Sequence, residues 1–436
     1  MKKKIVSILL ATCLLMSFLL IFSSCYSEVA AHIVNAEVNE NGELILSYSN
    51  GTAQNVGNVV GSDGAAGADG GVSTVIVSED ESIPYACSKG LRSTVSITCR
   101  FEVTVQQGGF RPSYITQEYV SGGSGVIYKL DKESGDAFII TNHHVVYNVS
   151  SNSENGISED ISVYLYGSEN ENQAIKAEYV GGSLYYDIAV LSVKNSDILK
   201  NSDACEVTVA DSDKASVGES AIAIGNARGY GIAASLGIVS VDSEYITMTG
   251  ADEKTTVTFR ALRVDAAINS GNSGGGLFNS KGELIGVVNV RVVSNNAENI
   301  GYAIPSNIAV SVADNILDYC YGTDAERIQK AVHGIELTAG TSRAVYDPET
   351  GKVSIIETLS VSQIAEGSLS DGILEMGDVL QSATLNGDTL LLTREYQIND
   401  LMLRVRVGDT VSLTILRDGE EMTVQITVTE DSLIEY

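Results

Sequence analysis

Between about residue 85 and residue 320 the chain alternates short apolar runs with clusters of Gly, Asn, Asp and Ser. The runs are Val95–Ile97, Gly125–Tyr128, Phe138–Thr141, Val163–Tyr166, Ile188–Val193, Ala221–Ile224, Gly237–Val241, Thr256–Phe259 and Glu283–Val288. Short runs at this spacing predict strands, and with almost no helical periods between them they predict an all-β barrel or sandwich. One stretch repeats at helical spacing: Ser306 to Tyr319 places Ile308, Val312, Ile316 and Tyr319 on one face, as expected of a helix packed on the β domain. After Thr323 a second series of strands begins, turned at Gly377-Asp378 and Gly408-Asp409 and ending in 410–416 and 421–429, which predicts a second small domain. Upstream, residues 43–48 follow Asn41-Gly42 and predict a strand leaving a turn, in a small β-hairpin. Glycine then falls at every third position from Gly61 to Gly70; without proline these triplets cannot hold a triple helix, so they predict a flexible stalk.

The N-terminus adds a location. Lys2 to Lys4 precede an apolar run from Ile5 to Phe22, the layout of an export signal, and Phe22-Ser23-Ser24-Cys25 resembles a bacterial lipobox in which Cys25 becomes the lipid-modified first residue. The alternative is an uncleaved membrane anchor. Export permits disulfides, and of Cys87, Cys99, Cys205 and Cys320 the first two are the closest pair in sequence; buried free thiols are the other reading. With 27 basic against 56 acidic residues the net charge is −29, which disfavours nucleic acid as a partner. Four histidines in all, with no ligand-like cysteine spacing, predict no metal centre, and nothing in the chain calls for a cofactor.

Candidate chemistry lies in the octet 269–276, Asn-Ser-Gly-Asn-Ser-Gly-Gly-Gly. Glycines around Ser273 let the backbone turn sharply and aim N–H groups, those of Gly271 and Ser273, at one point where a negative oxygen could be stabilised. A nucleophilic serine needs a base, and His144, at the end of the apolar run 138–141, suits that task, whereas His143 should point elsewhere if the backbone stays extended. Asp187, followed at once by the apolar run 188–193, is the candidate carboxylate that orients the imidazole. The order His, Asp, Ser excludes the α/β-hydrolases, in which the acid and the histidine follow the serine.

These segments resemble the HtrA/Deg family of serine proteases. Gly123–Val126, Thr141–Val146, Asp187–Leu191, Asp265–Asn269 with the turn after it, and Ile300–Pro305 are similar to its motifs, while Gly276 and Ala227 depart from its usual residues. The resemblance implies a mostly β chain: a trypsin-like double β-barrel over 81–325, divided near residue 205, then a PDZ-like domain over 331–436, behind a signal (1–24) and a hairpin and stalk (25–80). It implies an endopeptidase acting through an acyl-enzyme on Ser273 upon unfolded or mislocalised exported proteins. It also implies a pocket near Ala267 and Ile268 for small aliphatic side chains, C-terminal peptides bound near Gly334 and Ile335, and a homotrimer. A contrasting reading keeps a PDZ-based peptide-binding or chaperone protein with a vestigial protease barrel; the complete Ser, His and Asp set speaks against it, and an esterase is opposed by the fold signals.

Overall fold

Strands β4 (Thr94–Gln107), β5 (Ser113–Asp131), β6 (Asp136–Thr141), β7 (Asp160–Leu165), β8 (Ile175–Ser183) and β9 (Ile188–Val193) close into a barrel in the computed structural model of the chain. The structure describes residues 33–39, 43–58, 82–107, 113–168, 171–292 and 300–436. The export signal, Cys25 and the glycine-rich stalk expected from the sequence lie outside them. Period-two alternation turns Val95, Ile97 and Cys99 of β4 inward to meet Ile127, Ile139 and Leu191, and each such buried side chain contributes about 2 kcal/mol.

A second closed barrel is formed by β10 (Ser220–Gly225), β11 (Ala233–Thr249), β12 (Thr256–Val264), β13 (Gly276–Phe278), β14 (Leu284–Asn289) and β15 (Gly301–Pro305). Both barrels have the same strand order, first-second-third-sixth-fifth-fourth. The boundary expected near residue 205 falls between β9 and β10. The helix Ser306–Tyr319 has the predicted bounds and buries Ile308, Val312 and Ile316 in a cluster that also contains Ile188 and Ile304, so it spans both barrels. Ahead of β4, the helix Ile83–Ser93 starts where the Ser82 side chain accepts the Tyr85 N–H, with Pro84 in its first turn.

The expected disulfide does not form. Cys87, Cys99, Cys205 and Cys320 are free thiols. Cys99 points into the first barrel's core, whereas Cys87 packs from its helix against the cluster of Ile224 and Phe278. Burial pushes the Cys99 thiol up to about 12.

The C-terminal strands are β16 (Gln329–Ala331), β17 (Ile335–Tyr346), β18 (Val353–Ile364), β19 (Val379–Leu385), β20 (Asp388–Leu391), β21 (Thr410–Arg417), β22 (Glu420–Thr427) and β23 (Leu433–Glu435). They form a sheet of order β17-β18-β19-β21-β22 with β20 on β19, and β23 returns to pair with β16. Its core buries Ile335, Leu359, Leu413 and Ile398, the last from the short helix Tyr396–Leu401. In a separate unit, β1 (Ile33–Val38), β2 (Glu43–Tyr48) and β3 (Ala53–Asn58) form a three-stranded antiparallel sheet, one strand more than the hairpin expected.

Candidate active site

Strand β6 ends at Thr141, and after Asn142 the chain makes one helical turn, His143–Val146, instead of staying extended. That turn separates the two histidines. His143 is 8% exposed, stacks on Tyr147 at 5.2 Å and leaves its Nδ1 without a partner among the described residues. Burial above all pushes its pKa down to about 4, so it is neutral at neutral pH.

His144 faces Asp187. Its Nδ1 lies 2.6 Å from Asp187 Oδ2, and its backbone N–H donates to Oδ1 at 2.9 Å. A carboxylate only accepts, so the imidazole proton sits on Nδ1 and the lone pair on Nε2 is left for a substrate-side proton. Asp187 adopts a left-handed backbone (φ 50°), unusual for a non-glycine residue. That conformation is held by its own carbonyl, which accepts the His143 N–H at 3.2 Å and Asn142 Nδ2 at 2.8 Å. Burial pushes the Asp187 carboxyl up, but the charge and hydrogen bonds of His144 outweigh it and hold the group below the ordinary carboxylate range.

Ser273 belongs to the second barrel and is 4% exposed. The turn around it accepts glycine alone at two points. Gly271 has φ 96°, and a Cβ there would run into Asn226 O; Gly274 has φ 83°, and a Cβ would strike Ser124 O and Thr141 Oγ1. The barrels are stitched together at this point. Ser124 N–H donates to Ser273 O at 2.8 Å, the Ser124 hydroxyl donates to Gly271 O at 2.7 Å, and the Ser124 hydroxyl oxygen accepts the Asn226 N–H at 2.8 Å. Gly123 completes the junction, because a Cβ on it would meet both Val145 and, at 3.2 Å, Ser273 O.

Among the described residues, neither the Gly271 N–H nor the Ser273 N–H has a protein acceptor, although the Asn272 N–H between them donates to Asn269 O at 3.0 Å. The Ser273 hydroxyl oxygen accepts the Val290 N–H at 3.3 Å, and its partners among the described residues do not include His144. Such bonds often tighten only when substrate is bound.

The trypsin-like peptidase domain family matches residues 123–287. The serine protease Do-like HtrA of Lactococcus lactis subsp. cremoris (strain MG1363) is 34% identical over 322 residues, covering 72% of this chain and 72% of that protein. This chain belongs to the HtrA family of serine proteases. It is therefore a serine endopeptidase. The periplasmic pH-dependent serine endoprotease DegQ of Escherichia coli (strain K12) is 31% identical over 320 residues, 73% of this chain and 61% of that protein. Among solved structures, HtrA-type protease AlgW with decapeptide matches with TM-score 0.47 and 22% identity over 79% of this chain and 97% of that one.

Within this HtrA-family site two residues carry roles that the sequence reading did not assign. Asn289, at the end of β14, donates to Asp187 Oδ2 at 2.8 Å, and Ser124 makes the junction just described. Ser124 lies inside a strand segment already noted for its likeness; no spacing singles out Asn289. One departure from the family has a local reason: a Cβ on Gly276 would enter the Phe278 ring. Ala267 is exposed, and its carbonyl accepts the Ser235 hydroxyl at 2.9 Å, while Ile268 lies half-buried against Gly301. Asp265 is committed elsewhere, its Oδ1 accepting the Ile238 N–H at 2.7 Å. In the C-terminal module Gly334 (φ 77°) packs on Ser368, and Ile335 starts β17, which forms the edge of its sheet.

Proposed function

We propose that His144, Asp187 and Ser273 are the catalytic triad and that the Gly271 and Ser273 N–H groups are the oxyanion hole. The observation that carries this reading is the 2.6 Å contact between His144 Nδ1 and Asp187 Oδ2, made beside a serine turn whose two N–H groups are free of protein acceptors among the described residues. In the first half-reaction Ser273 Oγ attacks the peptide carbonyl, His144 Nε2 takes its proton and delivers it to the leaving amine, and an acyl-enzyme remains. Water then attacks the ester with His144 again as base, and Ser273 is regenerated. Labelling with a fluorophosphonate, followed by peptide mass mapping, tests the assignment. The label should sit on Ser273 and be lost in His144→Ala; a label elsewhere with cleavage intact removes the triad.

The substrates are unfolded or mislocalised exported proteins, and the enzyme works outside the cytoplasm, a reading supported by its similarity to the periplasmic endoprotease DegQ. Cys25 is the lipid anchor, and Cys25→Ser should release the protein from membranes. Ala267 and Ile268 border a pocket for small aliphatic side chains, a reading supported by Asp265 being engaged on β11. Mapping cuts in unfolded casein should find Val or Ala before the scissile bond, and Lys or Arg there would reject it. The C-terminal module, residues 331–436, is a PDZ domain that takes C-terminal peptides along β17 and at the Gly334-Ile335 loop. The assembly is a homotrimer, which light scattering reads directly.

A further inference from the structure

The loop offered to a peptide carboxylate is already occupied from within. The Ile335 N–H donates to His333 Nδ1 at 3.0 Å. The other ring nitrogen, Nε2, lies 2.9 Å from Asn399 Oδ1, on the helix Tyr396–Leu401. Together these bonds fix one neutral tautomer, with the proton on Nε2 donated to Asn399 and the Nδ1 lone pair facing Ile335. His333 is 8% exposed, so water cannot readily take over the Ile335 N–H. The remaining polar groups of the loop are placed around the same point. Gly334 O accepts the Ala365 N–H at 2.8 Å, and the Ser368 hydroxyl, against which Gly334 packs, is buried without a hydrogen-bond partner among the described residues.

We propose that His333 is an internal plug of the carboxylate-binding loop, and that its protonation hands the Ile335 N–H and a cationic ring to the C-terminal carboxylate of a bound peptide. The proposal rests on the peptide-binding reading of the C-terminal module given above. Its chemistry is direct: an imidazolium has no acceptor at Nδ1, so two donors would face each other across 3.0 Å and the internal bond must open. A carboxylate placed between them accepts from both, a charge-assisted arrangement that the neutral ring cannot offer. The groups facing the ring are few. Burial above all disfavours a positive ring, the bond to Asn399 opposes this in part, and the ammonium of Lys330, on β16, disfavours a second positive charge, so the empty loop holds His333 neutral. A bound carboxylate opposes all of this by favouring the imidazolium. Proton uptake and peptide binding therefore promote each other.

Fluorescence anisotropy on the full chain carrying Ser273→Ala, which spares the probe from cleavage, tests the idea. The probes are an array of peptides ending in apolar residues, each as free acid and as C-terminal amide. Free-acid affinity should rise about tenfold from about pH 8 to about pH 5.5, the range in which an imidazole titrates, while the amides stay unchanged. His333→Ala and His333→Gln, neither of which titrates, should bind the free acids equally at both pH values. Free-acid affinity that is flat in the parent, or that rises equally in both variants, overturns the plug and leaves peptide binding standing. Failure of every peptide to bind the parent and His333→Ala at both pH values overturns the peptide-binding reading itself.

Discussion

Asn289 Nδ2 donates to Asp187 Oδ2 at 2.8 Å, so the second barrel helps to hold a carboxylate that the first barrel presents to His144. The oxygen that receives the imidazole N–H thus has two donors, and the carboxylate cannot rotate away without losing both. A hydrogen bond to a charged group contributes about 1.5–3 kcal/mol, so Asn289→Ala should lower turnover about 10- to 100-fold with little change in KM. Asn289→Asp should be worse, because a second carboxylate would repel the first and compete for the imidazole. Steady-state cleavage of a fluorogenic peptide measures both, and parental turnover in Asn289→Ala would show that the His144 contacts alone suffice.

Ser273, His144 and Asp187 should act as one unit. Ser273→Ala and His144→Ala should each remove most turnover, and the double variant should lose little more, because losses within a triad are strongly non-additive. Asp187→Asn should fall by about 10⁴, the loss known for the equivalent change in a trypsin-type enzyme, since an amide favours the wrong tautomer. Casein cleavage by folded variants decides; undiminished cleavage by folded Ser273→Ala would reject the nucleophile.

Most of this site was legible in the sequence because its parts are local. The glycines that permit the turn at Ser273 are its chain neighbours, and the long apolar runs next to His144 and Asp187 became β6 and β9. Three-residue β13 was too short to register as a period, and β8 was broken by Gly181-Gly182. Asn289 could not be found at all, since its partner is 102 residues away and it ends a uniformly apolar strand. The helical turn at His143 was missed for another reason. Thr141, Asn142 and two valines fit an extended strand, and the turn is imposed by the bonds from Asn142 and His143 to the Asp187 carbonyl, a tertiary effect.

A second long-range set joins the C-terminal module to the second barrel. Arg260, on β12, has a side chain 1% exposed, with Nη2 2.8 Å from Asp213 and 2.7 Å from Asp400, and its guanidinium lies 3.9 Å over the Tyr396 ring. Removing one partner of a buried ion pair is far costlier than replacing the pair by apolar side chains. Arg260→Met, which leaves Asp213 and Asp400 without their shared cation, should therefore cost about 3 kcal/mol, whereas Arg260→Met with Asp213→Leu and Asp400→Leu should recover most of it. Urea denaturation of the two variants reads the difference, and equal losses in both would mean that the charges themselves are not what holds the contact.

His143 should set an acid limit on stability without contributing to the chemistry. Its pKa is near 6.5 in the unfolded chain but is held at about 4 in the fold, chiefly by burial, with the charges of His144 and Arg327 adding to it and that of Asp187 opposing it. The unfolded chain therefore binds the extra proton first as pH falls. Stability from this group is complete above about pH 6.5, declines between about 6.5 and about 4, and changes no further below that; by about pH 5 the loss is about 2 kcal/mol. Asp400 works in the opposite sense, since burial, resisted by Arg260, raises its carboxyl to about 6 and makes the fold hold that proton. A single stability curve would mix the two. His143→Phe separates them, because it keeps a ring against Tyr147, removes the titration, and leaves Asp400 in place. Between about pH 7.5 and about pH 5 the unfolding free energy of the parent should fall by about 2 kcal/mol relative to His143→Phe, as read by urea denaturation at each pH. His143→Phe should also still cleave casein. Parallel stability curves would reject the buried neutral state of His143, and loss of cleavage in a folded His143→Phe protein would bring this histidine back into the reaction.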